Sequence, residues 1–257
     1  MTRALLWSRG AVSLIFVLAL WQAVALSGAV PAKFFPGIPA IIDGARQMIA
    51  TGELPRNEIL TLGRALTGLV LASVAGIALA LLSDASPFFD RGFRTISSLL
   101  QPVPPAAVVP MAIFALGLGI KLYIFIILLV SIWGPYLNGA AALRAVPREQ
   151  ILTGRMLGLS PAAIMFRIKL PAAMPQIFAG IRYAAAVSLI AVVVAEMLAG
   201  RDGIGFLLVR KSFSIRIPET YALMFVTMFN GVLLALLVNL ARRVLTGWHV
   251  RQTGASK

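Results

Sequence analysis

The stretch IFAGIRYAAAVSLIAVVVAEMLA, residues 177–199, decides the fold class. It runs apolar for longer than the about 20 helical residues that cross a hydrocarbon core of about 30 Å. Five more stretches of this kind lie at residues 11–30, 59–83, 103–118, 122–142 and 221–245. Pro102, Pro104, Pro105 and Pro110 crowd the start of the third. The first could be misread as a signal peptide, but its apolar run is long and no soluble domain follows a cleavage pattern, so it reads as a retained anchor helix. Composition agrees: 60% of the 257 residues are hydrophobic, 12% are charged and the mean hydropathy is +0.92. A water-soluble surface needs roughly 25% charged residues. The chain therefore reads as an all-α membrane protein with six transmembrane helices.

The net charge of +14 is spread as single residues and pairs such as Arg210-Lys211 and Arg242-Arg243, not as a basic block. Scatter of this kind at the ends of apolar stretches follows the positive-inside rule and argues against nucleic acid as a partner. One side of the bilayer receives Arg3, Arg9, Arg91 and Arg94, the residues Arg144, Arg148, Arg155, Arg167, Lys169 and Arg182 counted with the fourth loop, and Arg242, Arg243, Arg251 and Lys257 in the tail. These are 14 of the 23 basic residues. The opposite side also carries Asp43, Glu53, Glu58, Asp202 and Glu219. Both termini and the fourth loop are accordingly expected in the cytoplasm. With no cysteine and a single histidine, His249, placed in a solvated or headgroup-level tail, the chain lacks the makings of a Cys- or His-based metal site, a thiolate nucleophile or a Ser-His-Asp triad.

Residues 38–50 alternate an apolar set (Ile38, Ile41, Ile42, Ala45, Met48, Ile49) with Asp43, Arg46 and Gln47 at helical spacing, which predicts an amphipathic helix along the outer interface. Gly68, Ala72, Gly76 and Ala80 form a small-residue stripe on the second span, suited to close helix approach. The fourth loop, residues 141–176, is too long for a connector. It reads as two short cytoplasmic helices, 148–157 and 161–170, broken at Gly158-Leu159-Ser160, with Ser160 as N-cap and Pro161 in the first turn. Apolar Ile151, Leu152, Met156 and Leu157 between basic residues suit either docking on a soluble partner or resting on lipid headgroups. Glu196 stands near the outer end of an apolar span, where an acidic residue in lipid costs about 2.5–3.5 kcal/mol. Three readings follow: a gate or polar lining of a path, a structural carboxylate bonded to a neighbouring helix or paired with a basic residue such as Arg64, and a proton relay. Tyr136, Asn138 and Asn230 are further polar groups within spans, as interhelical bonds or path lining, and Pro135 beside Trp133 predicts a kink in the fourth span.

Gly158 followed after nine residues by Ile168-Lys169-Leu170-Pro171 resembles the cytoplasmic signature loop of binding-protein-dependent ABC importer permeases. The Glu-Ala-Ala positions of that signature fall on Leu152, Thr153 and Gly154, so the family's glutamate contact does not carry over while the docking role does. The resemblance extends from about residue 35 to 248 and is similar to the nitrate, sulfonate and taurine branch. Its further pieces are Pro36-Gly37-Ile38-Pro39, Gly52-Glu53-Leu54, Thr61-x-x-Arg64-x-x-x-Gly68, Pro102-x-Pro104-Pro105-Ala106, Phe114-x-x-Gly117-x-Gly119, Ala195-Glu196-Met197 and Gly203-Ile204-Gly205. It implies the type I importer permease fold. The whole chain, 1–257, would form one permease domain with anchor helix 11–30, outer helix 38–50 and core 58–245. Residues Leu152, Thr153, Gly154, Gly158, Leu159, Ser160, Ile168, Leu170 and Pro171 would couple to an ATPase from a hairpin between helices 4 and 5.

The implied assembly is a homodimer of permeases in the bacterial inner membrane, with two cytoplasmic ATPases and a periplasmic or lipid-anchored solute-binding protein. The implied solute is a small anion. No Gly-Lys dipeptide occurs, so the chain has no phosphate-binding loop, and ATP and magnesium are assigned to the partner ATPase. On the residues alone two other classes remain: a proton-coupled secondary carrier with Glu196 as relay, which leaves the hairpin unexplained, and a membrane scaffold, which leaves Glu196 idle.

Overall fold

The computed structural model describes the backbone of residues 3–31 and 33–252, and the side chains of 12–31 and 33–246. The readings placed on the side chains of Arg3, Arg9, His249, Arg251 and Lys257 fall outside these residues. Every regular element described is helical: α1 Arg3–Leu26, α2 Ile38–Ala50, α3 Glu53–Ala85, α4 Pro87–Leu100, α5 Pro105–Leu116, α6 Ile120–Ser131, α7 Trp133–Arg144, α8 Arg148–Met156, α9 Pro161–Ile164, α10 Leu170–Ala199, α11 Ile204–Phe213 and α12 Ile217–Gln252. A π-helical turn, Met165–Lys169, joins α9 to α10.

Lipid supplies no hydrophobic drive between helices, so association rests on close packing at small residues. The stripe on α3 does this: Ala72 and Ala80 are fully buried. A Cβ on Gly76 would come within 2.7 Å of the Ile132 carbonyl oxygen, and one on Gly139 within 3.0 Å of Ala80. Opposite, Gly134 of α7 and Gly180 of α10 cross backbone to backbone, each leaving no room for a Cβ on the other. Around these crossings Leu69, Ile126, Ile127, Leu189, Val192 and Leu234 close the main core. Gly180→Leu is therefore expected to prevent the α7–α10 crossing, read as loss of a monodisperse detergent-extracted protein, whereas Ala179→Leu on the exposed side should be tolerated.

All six apolar stretches are helical, and four continuous helices are long and apolar enough to cross a bilayer: Glu53–Ala85, Ile120–Arg144, Pro161–Ala199 and Ile217–Thr246. The other two differ from expectation. Residues 103–118 yield only the 12-residue α5, which follows α4 at a bend of 101°. Pro102 and Pro104 hold the intervening residues out of helical geometry, so α4 and α5 form a broken pair. In α1, the described apolar part is Val12–Leu26, ending four residues short of Val30. Trp21 anchors its end, stacking on Phe35 at 4.3 Å and donating from Nε1 to the Pro36 carbonyl, while Val12, Phe16 and Leu20 stay exposed.

Near Pro135 the helical pattern of the fourth span is interrupted at one residue, Ile132, and Gly76 lets the Ile132 carbonyl approach α3. The amphipathic α2 forms over the expected residues, but Ile41, Gly44 and Met48 face protein. Gly44 lies against the backbone of Pro218 and Glu219 at the start of α12. One difference bears on function. Arg182, counted with the fourth loop, lies in the middle of α10.

Candidate functional site

The fourth loop folds as a hairpin whose turn is built by Gly158. Its φ of +74° is left-handed, which favours a residue without Cβ. The Gly158 amide donates to Arg155 and the Leu159 amide to Gly154, the paired bonds of a Schellman cap. Ser160 then caps the next helix, its hydroxyl accepting from the Ala163 amide at 3.2 Å, and Pro161 occupies the first turn. Gly154 is buried because α8 lies on α9 and the π turn there: a Cβ would meet Ile168 Cδ1 at 2.6 Å and Ile164 Cγ1 at 3.3 Å. The small residue at this signature position thus sets the closeness of the hairpin. Thr153 is exposed and bonds its own helix at the Glu149 carbonyl. Leu152, Met156, Leu157 and Phe166 present an exposed apolar face, Met156 at 89% and Phe166 at 60%.

The second arm of the hairpin differs from the expected separate helix 161–170. It runs without a stop through the π turn into α10, as one helix Pro161–Ala199. Pro171 explains both the expectation and the outcome. It has no amide hydrogen for the carbonyl four residues earlier and its ring presses on that carbonyl. Widening the turn, with the Leu170 amide bonded to the Met165 carbonyl, relieves the clash while keeping the helix intact. Leu170 and Pro171 are therefore half-buried rod residues, not a loop. Beside them Lys169 pairs with Asp84 at the hairpin end of α3, tying the hairpin to the bundle.

At the other end of α3 and α10, Glu196 is fully buried, and every polar contact to it is a donor. Thr61 Oγ1 donates at 2.8 and 3.0 Å, Arg64 Nη1 at 2.8 Å and the Gly205 amide at 3.0 Å. Thr61 in turn accepts from the Ile204 amide at 2.8 Å, and Asn57 Oδ1 accepts from the Gly203 amide at 2.6 Å. Arg64 also reaches Asp202 Oδ1 at 2.5 Å and lies 4.1 Å over the Tyr123 ring. Gly203, at φ +98°, leaves no room for a Cβ beside the Glu196 carboxylate. The carboxylate so fixes the turn 200–205 and the N-terminus of α11 onto α3, an arrangement that matches the structural reading with Arg64 as partner. Sequence spacing alone missed Asn57, Thr61, Tyr123 and Asp202 as parts of this cluster. The signal was present in two separate motifs, Thr61-x-x-Arg64 and Gly203-Ile204-Gly205, that meet here.

The remaining candidates are not brought together. Tyr136 is buried with its hydroxyl 3.4 Å from Ser83 Oγ. Asn230 is fully buried and donates to Glu58 at 3.1 Å. Asn138 donates to the Gly134 carbonyl and accepts from Gln176 at 3.2 Å, on the exposed side of the α7–α10 crossing.

Comparison with known proteins agrees with this geometry. The bicarbonate transport system permease protein of Synechocystis is 34% identical over 151 residues, 58% of this chain and 54% of that protein. The nitrate import permease protein of Synechocystis is 38% identical over 146 residues, 57% of this chain and 53% of that protein. The chain thus spans about half the length of these relatives. An inward-facing structure of the MetNI methionine ABC transporter has the same fold, with a TM-score of 0.65 at 15% identity over 77% of this chain and 98% of that one. The family described as binding-protein-dependent transport system inner membrane component matches residues 68–251. That match covers more than half of the chain, which therefore belongs to the inner membrane components of binding-protein-dependent transport systems.

Proposed function

We propose that the chain is the pathway-forming subunit of an ATP-driven importer of a small anion, acting with a separate ATPase and a solute-binding protein. The observation that carries this is the hairpin 148–171: an exposed apolar face of Leu152, Met156, Leu157 and Phe166, on a rod continuous with the spanning helix α10. A face of that kind at a cytoplasmic end fits a groove on a soluble ATPase, and the rod carries its displacement into the bundle. The bicarbonate and nitrate relatives support a small inorganic or organic anion as solute.

The assembly we infer is two copies of this permease domain, with anchor helix 11–30, outer helix 38–50 and core 58–245. Two ATPases carry the ATP and magnesium, and both permease termini are cytoplasmic. Alternating access follows from rigid-body rocking as the ATPases close on the hairpins.

Two measurements test this reading. Purified chain alone is expected to show no ATP hydrolysis, and liposome uptake to require the ATPase and the binding protein. Uptake driven by a pH gradient with this chain alone would instead establish the secondary carrier. Single cysteines at Ser160 and Ser212, both exposed, are expected to label from the cytoplasmic and periplasmic faces respectively. Labelling from one face would overturn the orientation.

A further inference from the structure

Arg182 is exposed, and no described residue forms a hydrogen bond or ion pair with it. Its position makes this unusual. Helix α10 has 30 residues, a length of about 45 Å at about 1.5 Å per residue. That equals the full thickness of a bilayer with its headgroups, about 40–45 Å. Two polar clamps mark its ends, Lys169–Asp84 at the inner and Glu196–Arg64 at the outer. Arg182 stands midway, about 20 Å of helix from each. An unpaired guanidinium at mid-depth is not stable against lipid; it faces water or a partner.

The polar and small neighbours suit a water-facing position. On the same side of α10, Gln176, Ala179, Tyr183 and Ala186 are exposed, and Gln176 bonds Asn138 of α7. Small residues one turn to either side of Arg182 leave its guanidinium open to a small molecule, and the Gln176–Asn138 pair extends the polar surface toward the inner end. We propose that Arg182 is the anion-binding residue of the translocation path, holding the oxyanion group of the solute at mid-membrane. A guanidinium presents its donors as a planar fork that matches paired oxygens of nitrate, carboxylate or sulfonate. This deepens the transport reading and rests on it for the path, but its test does not depend on knowing the solute.

The chain contains no cysteine, so Ala186→Cys, one helical turn from Arg182, gives one reporter thiol per permease chain, read on that chain after separation from its partners by denaturing electrophoresis. In proteoliposomes of the assembled importer it is treated from water with methanethiosulfonates of opposite charge, sulfonatoethyl and trimethylammonium-ethyl, each rate normalised to that with a free thiol. The expected result is a preference of at least tenfold for the anionic reagent. Nitrate should slow it, and Arg182→Gln should abolish the preference while Arg182→Lys keeps most of it.

No labelling by either reagent would show a dry face against lipid or a partner, and would overturn the proposal. A preference unchanged in Arg182→Gln would overturn it equally. Loss of the preference only when phosphatidylglycerol replaces phosphatidylcholine would assign Arg182 to a lipid phosphate instead. ATP-driven uptake by the unmodified importer is measured separately, so failure of the transport reading and failure of this assignment are read from different experiments.

Discussion

Arg64→Ala is expected to destabilise the protein by about 3–5 kcal/mol, the cost of leaving a buried carboxylate without its charged partner. Glu196 has no exposure to water through which to recover, and Arg64 holds both it and Asp202. The effect should appear as loss of folded protein on detergent extraction and as release of the 200–205 turn to proteolysis. Glu196→Gln is expected to be harmful too, against the simple view that an amide preserves the shape. Thr61, Arg64 and the Gly205 amide all point donors at the carboxylate, so either placement of the new amide nitrogen faces a donor. Melting of the two single variants and of the double variant forms a cycle. The double variant is expected to lose less than the sum of the singles, because each single variant already breaks the Arg64–Glu196 contact and the amide no longer faces a guanidinium once Arg64 is gone. Additive losses would show that Arg64 and Glu196 act independently and would reopen the gate and relay readings.

The second large effect is expected at Gly154. A valine there meets Ile168 and Ile164 within the chain itself and pries α8 away from the rod. Gly154→Val should leave the bundle inserted and folded, abolish retention of the ATPase in pull-down and reduce uptake to background. Gly158→Val is a different test. A Cβ there meets nothing within 4 Å, so its cost in the free chain is the left-handed backbone alone, roughly 1–2 kcal/mol. Any further loss in the complex measures how closely a partner surface approaches the turn. Ala163→Ser, beside the Ser160 cap, serves as control for both. Normal ATPase retention and uptake in Gly154→Val would place the coupling element elsewhere.

The spans were legible because apolar length is a direct record of bilayer thickness, and the stripe from Gly68 to Ala80 because close helix packing tolerates few residue types. The hairpin turn was legible from Gly158, Ser160 and Pro161, each with a distinct backbone role. Two features were not. Proline reads as a stop, yet Pro171 sits within a continuous helix since the π turn absorbs its defect, and no pattern of side chains announces a one-residue widening. The Glu196 cluster joins residues more than 130 positions apart, so its members are ordinary in their own segments and become a site only when α3 meets α10. Arg182 was miscounted for a related reason. A basic residue near a loop is read as solvated, and only the true start of α10 shows how deep it lies.

The π turn at Met165–Lys169 also makes the rod adjustable in discrete steps. A π turn differs from an α turn by one residue of register, equivalent to about 100° of rotation and about 1.5 Å of advance along the axis. Passing between the two would swivel Pro161–Ile164, and the apolar face of α8 that rests on it, while leaving Leu170–Ala199 in place. The Lys169–Asp84 pair ties the last residue of the turn to α3. Such a joint would have two discrete settings. With the register held, a pull on the hairpin would drive the spanning helix; with the register shifted by one residue, the hairpin would turn while the membrane segment stayed at rest.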